Sequence, residues 1–201
     1  MTRSSLSLRL GAVAALLLAA SILVFGIASA AAPAVLFTDD FESGDTRWTV
    51  QAGTWSVVSD GTSVYSQTNA SVTARSVITE TAVPGALAWA DYAVTARVKP
   101  VSGQYAMLMA RYQDAKNYYF LALRSDNGKV ELKRYLNGSS GTALGTVNGL
   151  ITPNTWYTAT LELKGSMLRA WIDGVPVITV TNTVFVTGTI GVGSANGTAE
   201  F

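Results

Sequence analysis

Aromatic and charged side chains alternate along three consecutive segments in the middle of this chain: Tyr105–Tyr112, Tyr118–Arg124 and Val130–Tyr135. If these segments are β-strands, each places its charged residues and several rings on one side of a sheet. Aromatic rings stack on the apolar faces of sugars, while arginine and carboxylate groups hydrogen-bond to sugar hydroxyls. We therefore predict a carbohydrate-binding surface; the alternative is that a neighbouring loop or domain covers these side chains. The expected contacts are Tyr105, Arg111, Tyr118, Phe120 and Arg124.

The sequence offers little acid–base chemistry. It contains no histidine and no cysteine, which excludes Ser-His-Asp and Cys-His catalysis and almost every zinc site. A glycosidase needs two carboxyl groups about 5 to 9 Å apart, whereas Glu131 and Glu162 each stand alone among Lys, Arg and Leu residues. An arginine and a tyrosine can act together as a lyase pair, so a lyase stays open as an alternative.

One acidic cluster, Asp39, Asp40 and Glu42, has residue types that suit a metal ion. Calcium takes several hard oxygen ligands, which two or three carboxylates and backbone carbonyls would supply. We therefore predict a structural Ca2+ site at this cluster. The alternative is a solvated strand start.

The elements that must position these residues are short β-strands. Apolar and polar residues alternate from Trp156 to Lys164, and Gly165-Ser166 and Asp173-Gly174 suit tight hairpin turns. No segment after residue 30 keeps a helical apolar period over three turns. The sequence therefore predicts an all-β fold, an antiparallel two-sheet β-sandwich or jelly roll. The predicted strands are Thr54–Val58, Val64–Gln67, Ala74–Ile78, Tyr92–Lys99, Tyr105–Tyr112, Tyr118–Arg124, Val130–Tyr135, Trp156–Lys164, Leu168–Ile172, Val175–Val180 and Thr189–Gly193.

Residues 1–30 have the pattern of a secretory signal peptide. An apolar run from Leu10 to Ile27 follows a short polar start, and Ala28-Ser29-Ala30 forms a small-x-small cleavage pattern. The run is somewhat long, so an uncleaved membrane anchor is the competing interpretation. With cleavage we expect a secreted protein with no membrane contact, a short lead-in at 31–36 and one domain at 37–201.

Charge argues against a nucleic-acid partner. The leader carries two arginines and no acidic residue, so its removal changes the formal net charge from +1 to −1. Charged residues make up 13% of the chain, against about 25% in a typical domain. Such a weakly charged chain has no electrostatic attraction for a polyanion.

Several separated pieces of sequence, taken in order, resemble one family. They are Asp39–Glu42, Trp48, Gly53–Gly61, Trp89–Tyr92, Val94–Pro100, Arg111–Asp114, Asn117–Leu121, Trp156-Tyr157, Asp173-Gly174 and Gly188–Gly191. The set is similar to the concanavalin A-like lectin/glucanase (laminin G-like jelly roll) superfamily. More narrowly, it resembles the accessory modules of secreted bacterial pectate lyases and other polysaccharide-active proteins. The resemblance implies Asp40 as the calcium ligand.

The end of the chain departs from the family pattern, which closes with a Phe-Asp-Asx-Val strand. Residues Thr198–Phe201 look like the start of a further strand, so we expect a domain truncated at its C-terminal strand. A catalytic domain downstream of Phe201 is then a further expected partner.

Together these observations predict a secreted, non-catalytic carbohydrate-binding or accessory module associated with extracellular polysaccharide degradation, whose ligand is a polysaccharide or other glycan. One alternative is a polysaccharide lyase or glycosidase of the same fold. The other is a cell-surface structural or adhesion module.

Overall fold

The computed structural model describes residues 34–139, 141 and 143–201, and Phe37–Phe201 form one compact unit. The predicted signal peptide at 1–30 and the first residues of the lead-in lie outside the described residues. Within the described part, no helix has the length and apolar character needed to cross a bilayer.

The described residues form twelve β-strands and one short 3-10 turn, Ala86–Ala88, so the predicted all-β fold is confirmed. The strands are β1 (Trp48–Ala52), β2 (Trp55–Ser59), β3 (Ser63–Gln67), β4 (Thr73–Ile78), β5 (Tyr92–Asp114), β6 (Asn117–Leu123), β7 (Val130–Tyr135), β8 (Gly145–Val147), β9 (Tyr157–Lys164), β10 (Met167–Ile172), β11 (Val175–Thr181) and β12 (Thr189–Glu200).

The strands build two antiparallel sheets that share β5. The front sheet has the order β1-β4-β12-β5-β6-β7-β8, in which β5 contributes its second half. The back sheet is formed by β11, β10, β9 and the first half of β5, from Tyr92 to Val98. The β2–β3 hairpin pairs with the last residues of β12.

The main hydrophobic core lies between the inner faces of the two sheets. The front sheet contributes residues such as Leu108, Leu121 and Val192, and the back sheet contributes Leu161 and Leu163. The alternation predicted for β9 is therefore correct: Ala159, Leu161 and Leu163 are buried, and Tyr157 packs against the core.

Two predicted strand boundaries are wrong. The segments Tyr92–Lys99 and Tyr105–Tyr112 belong to one 23-residue strand, β5. Residues Thr198–Glu200 do not start a new strand but continue β12. The backbones of β5 and β12 come very close to each other at a glycine. A Cβ on Gly103 would lie 1.8 Å from the Asn196 carbonyl oxygen. Gly103 on β5 and Gly197 on β12 therefore allow the two paired backbones to approach closely, and they do not end their strands.

Candidate binding site on the outer face of the front sheet

A second apolar cluster lies on the outer face of the front sheet, away from the main core. Antiparallel sheets usually bury one face and leave the other polar, so this second cluster is unusual. Its buried members are Val77, Met107, Met109, Tyr112, Tyr118, Phe120, Ala122 and Ala195, and Tyr105 and Tyr135 pack against them partly exposed. We call this set the front-face cluster. The prediction that these faces of the central strands point away from the inter-sheet core is confirmed.

Three tyrosines form a stack at one end of the front-face cluster. The Tyr118 ring lies between Tyr112 at 5.4 Å and Tyr135 at 5.0 Å between centroids, both in stacked geometry. Strand pairing produces the second contact, because Tyr118 on β6 is the direct partner of Tyr135 on β7. Burial raises the pKa of Tyr118 to about 12, and the neighbouring Arg75 charge opposes part of that rise.

Charged side chains surround Tyr105 at the other end of the cluster. The Arg124 guanidinium lies 4.9 Å and the Lys133 ammonium 5.5 Å from the Tyr105 ring centroid. Arg124 also pairs with Asp126 at 2.6 Å and with Glu131 at 3.4 Å, and Lys133 lies 3.9 Å from Glu131. The Arg124 hydrogen bond holds the pKa of Asp126 below its usual value. This end therefore offers one partly exposed ring with cations and carboxylates around it.

Glycines separate the two ends. Gly191 and Gly193 on β12 face outward between β4 and β5, and Met107 and Met109 lie against them. A Cβ on Gly191 would come within 2.9 Å of the Met109 Cε atom, and one on Gly193 within 2.5 Å of the Ala74 carbonyl oxygen. The methionine side chains therefore fill space that larger residues on β12 would occupy.

Arg111 does not join this face, and the alternation predicted for it is wrong. A positive φ of 44° at Arg111 interrupts the period of two, so that Tyr112 reaches the tyrosine stack in its place. The Arg111 side chain is 1% exposed and donates hydrogen bonds to the carbonyl oxygens of Ala90, Phe185 and Gly165. Its donors hold together loops at one end of the sandwich, and none is directed to the front face.

The other four predicted contacts are brought together on the front face. Tyr105 and Arg124 are partly exposed, whereas Tyr118 and Phe120 are 1% and 2% exposed and lie beneath their neighbours. Sequence reasoning did not select Tyr112, Tyr135, Glu131, Lys133 or Arg75 as contacts. Strand alternation places Glu131, Lys133 and Tyr135 on one face of β7, and in the structure they are the direct partners of Ala122, Phe120 and Tyr118.

The acidic cluster near the N-terminal edge is mostly engaged in internal contacts. Asp39 accepts hydrogen bonds from the Phe41 amide and the Trp48 indole and pairs with Arg47 at 3.1 Å. Glu42 accepts from the Ser63 amide. The Asp40 carboxylate is exposed and accepts from the Glu42 amide at 3.2 Å. In the described part of the chain, no three Asp or Glu side chains converge, so calcium at Asp40 would need backbone carbonyls and water as further ligands.

A second aromatic surface lies on the outer face of the back sheet and was not predicted. The Arg97 guanidinium lies 4.4 Å above the Trp156 ring, and Arg169 lies 5.3 Å from the Trp171 ring. Both indoles are partly buried. Among the described residues, this surface holds two Trp–Arg pairs, and neither tryptophan belongs to one of the two apolar clusters.

The two-sheet architecture is that of a concanavalin A-like jelly roll. A carbohydrate-binding module, CBM66 from Bacillus subtilis, superposes with a TM-score of 0.66 at 23% identity, over 77% of this chain and 91% of that one. The Bacillus licheniformis beta-glucanase superposes with a TM-score of 0.55 at 18% identity, over 80% and 92% of the two chains. These similarities establish the fold.

The family is defined by sequence. The profile of the 3-keto-alpha-glucoside-1,2-lyase-like domain family matches residues 35–201, and the chain belongs to this family. A curated relative, an extracellular exo-alpha-L-arabinofuranosidase from Streptomyces chartreusis, is 31% identical over 149 residues. The match covers 73% of this chain but only 17% of that enzyme.

Proposed function

We propose that this domain is a non-catalytic carbohydrate-binding module that binds a glycan on the outer face of the front sheet. The observation that carries the proposal is the front-face cluster itself. An outer sheet face rich in tyrosine, phenylalanine and methionine, bordered by Arg124, Lys133 and Glu131, has the composition of a sugar-binding surface.

The two ends of the face would make different contacts with a glycan. Tyr105 and Tyr135 are the partly exposed rings and are placed to stack on sugar faces. Tyr118 and Phe120 support them from below: Phe120 makes an edge contact with Tyr105 at 6.2 Å, and Tyr118 stacks on Tyr135. Arg124 is held by two carboxylates and is therefore pre-oriented to donate to hydroxyls.

The charged groups on this face favour binding over catalysis. Glu131 lies between Arg124 and Lys133, and Asp126 is paired with Arg124 with its pKa held below the usual value. A general acid needs a raised carboxyl pKa. A tyrosine general base needs a lowered one, whereas burial raises the pKa of Tyr118 to about 12. These groups are arranged as hydrogen-bonding partners.

We further infer that the domain works outside the cell as part of a polysaccharide-active protein. The leader pattern at 1–30 predicts secretion, and the Streptomyces relative is itself described as extracellular. That relative is a glycosidase several times longer than this chain, so the matching region is a small part of a larger enzyme. A module that holds such an enzyme on its substrate fits this context.

The second candidate is a lyase, because the family description includes a glycoside lyase activity. Under this alternative, the front face would be a catalytic cleft with a tyrosine and an arginine as its working pair. Release of unsaturated or keto-sugar products by the purified domain would favour the lyase over the binding module.

Binding can be tested by affinity electrophoresis through gels containing different polysaccharides. We expect retardation of the wild type in at least one gel, and loss of retardation in Tyr105→Ala and Tyr135→Ala. Removing one engaged contact should weaken binding by about 1 to 3 kcal/mol, which is about 5- to 150-fold. Trp171→Ala on the back sheet is the matched aromatic control and should migrate as the wild type does. If no polysaccharide retards the wild type, the adhesion alternative replaces this proposal.

A further inference from the structure

Arg75 on β4 is a cation of the front face for which the structure provides no carboxylate. Arg124, on the same face, has two carboxylates within 3.4 Å. Among the described residues, no Asp or Glu oxygen lies within 4.0 Å of the Arg75 guanidinium. On the front face, the charge of Arg124 is therefore balanced by two carboxylates, whereas the charge of Arg75 is not.

The Arg75 side chain is also partly desolvated. Its Nε atom is buried and has no hydrogen-bond partner within the described part of the chain. Its charge acts on the hydroxyls of Tyr112 and Tyr118, both of them buried members of the front-face cluster. Shielding part of a cation from water without a compensating anion costs folding free energy. A buried donor without a partner calls for an explanation.

Strand register places Arg75 at one end of a row that crosses the sheet. Arg75 pairs with Gly193, Gly193 with Met107, Met107 with Ala122, and Ala122 with Glu131. Four strand spacings of about 4.8 Å separate the two ends by about 19 Å. A glycan lying along this row would meet the paired charges of Arg124 and Glu131 at one end and the unpaired Arg75 at the other.

We propose that Arg75 is the receptor for the carboxylate of an acidic sugar, so that the glycan bound on the front face contains uronic acid residues. This inference rests on the proposed function and adds the ligand class. A carboxylate supplies the anion that Arg75 lacks, and the planar guanidinium can bind it through two parallel hydrogen bonds.

The test compares two probes with the same sugar backbone, trigalacturonic acid and its methyl ester, of which only the acid carries charged carboxylates. Isothermal titration calorimetry at low salt should show the wild type binding the acid at least tenfold more tightly than the ester. In Arg75→Gln this ratio should fall to about one, and Arg75→Lys should keep part of it. Arg97→Gln on the back sheet removes another arginine that has no carboxylate within 4.0 Å among the described residues, and it should keep the wild-type ratio.

The outcomes separate this inference from the proposed function. Equal wild-type affinity for acid and ester would overturn the role of Arg75 while leaving glycan binding in place. Retention of the full ratio in folded Arg75→Gln would overturn it as well. If the wild type binds neither probe but binds a neutral polysaccharide in gels, the uronate ligand is refuted. The proposal of a carbohydrate-binding module then still stands. If it binds no glycan at all, both fail.

Discussion

Replacement of Arg111 by methionine should destabilise the domain strongly without altering the front face. The guanidinium makes four hydrogen bonds to three backbone carbonyls: two to Ala90 at 2.9 and 3.1 Å, one to Phe185 at 2.8 Å and one to Gly165 at 3.0 Å. Methionine fills a similar volume but donates none of them. The substitution therefore leaves three acceptors, one of them in a fully buried contact, without a partner.

The magnitude follows from those contacts. A hydrogen bond to a charged group contributes about 1.5 to 3 kcal/mol, and an unsatisfied buried acceptor costs about 1 to 3 kcal/mol. Water can reach the carbonyls of Ala90 and Gly165 once the side chain is gone, because those contacts are only partly buried. We therefore expect a loss of about 3 to 5 kcal/mol, the usual effect of breaking one partner of a buried charged network. Arg111→Lys should lose about half as much, because it keeps the charge and one or two donors.

Urea unfolding followed by tryptophan fluorescence measures this loss directly, provided the slope with denaturant stays constant. Lys164→Met is the control, since Lys164 is exposed and the described residues place no carboxylate within 4.0 Å of it. It should change stability by no more than about 0.5 kcal/mol. A loss below about 1 kcal/mol in Arg111→Met would refute the structural role. Unchanged stability with lost glycan binding would restore Arg111 as a ligand contact.

Three further predictions concern packing, pH and calcium. Gly103→Ala should lower the free energy of unfolding, measured in urea, by at least about 3 kcal/mol more than Gly149→Ala does. Both glycines have a positive φ, but of the two only Gly103 has a backbone atom, the Asn196 carbonyl oxygen, 1.8 Å from the position of an added Cβ. Equal losses would contradict the close approach of β5 and β12. Burial raises the pKa of Tyr118 to about 12, whereas the pKa of a tyrosine in the unfolded chain is about 10. Between pH 10 and 12 the folded state therefore keeps a proton that the unfolded chain loses, and the free energy of unfolding falls as pH rises through this range. Tyr118→Phe should reduce that fall by about 2 to 3 kcal/mol, and an identical alkaline profile would show that the hydroxyl is not desolvated. Calcium at 100 times its dissociation constant should stabilise the wild type by about 2.7 kcal/mol, seen as a higher melting temperature that Asp40→Ala abolishes; an unchanged response in Asp40→Ala would mean that this carboxylate is not a ligand.

The sheets could be predicted from sequence because their pattern is local. Alternation with period two marks β6, β7 and β9, and flanking turn residues mark their ends, so their outward and inward faces follow without knowledge of the rest of the fold. The predicted outward face of Tyr118 and Phe120 on β6, and that of Tyr105 from the same alternation on β5, is therefore correct. The short strands β1 and β8 carry too little alternation and were missed.

Arg111 could not be predicted because a distant residue fixes its conformation. The Arg111 amide donates to the Tyr92 hydroxyl at 2.6 Å, nineteen positions earlier in the chain, and that hydroxyl in turn donates to the Gly188 carbonyl oxygen. A Cβ on Gly188 would meet the Arg111 carbonyl carbon at 2.4 Å, so glycine is required opposite the bulge. These tertiary contacts impose the positive φ that reverses the side chain.

Arg75 was missed for a different reason. It lies in a strand that was predicted, but its neighbours Tyr112 and Tyr118 belong to β5 and β6, on the far side of β12. The strand order that brings β4 beside the last strand of the chain is a property of the topology. Local alternation carries no information about it.

The central claim, that a glycan binds on the outer face of the front sheet, is tested most directly by mapping a bound oligosaccharide with NMR chemical shifts. Titration with an oligosaccharide from the polysaccharide that retards the domain should shift the amide signals of Tyr105, Arg124 and Tyr135 most strongly. Signals near Trp156 and Trp171 on the back sheet should stay in place. The reverse pattern, with the largest shifts around the two tryptophans, would contradict the account and assign binding to the other side of the sandwich.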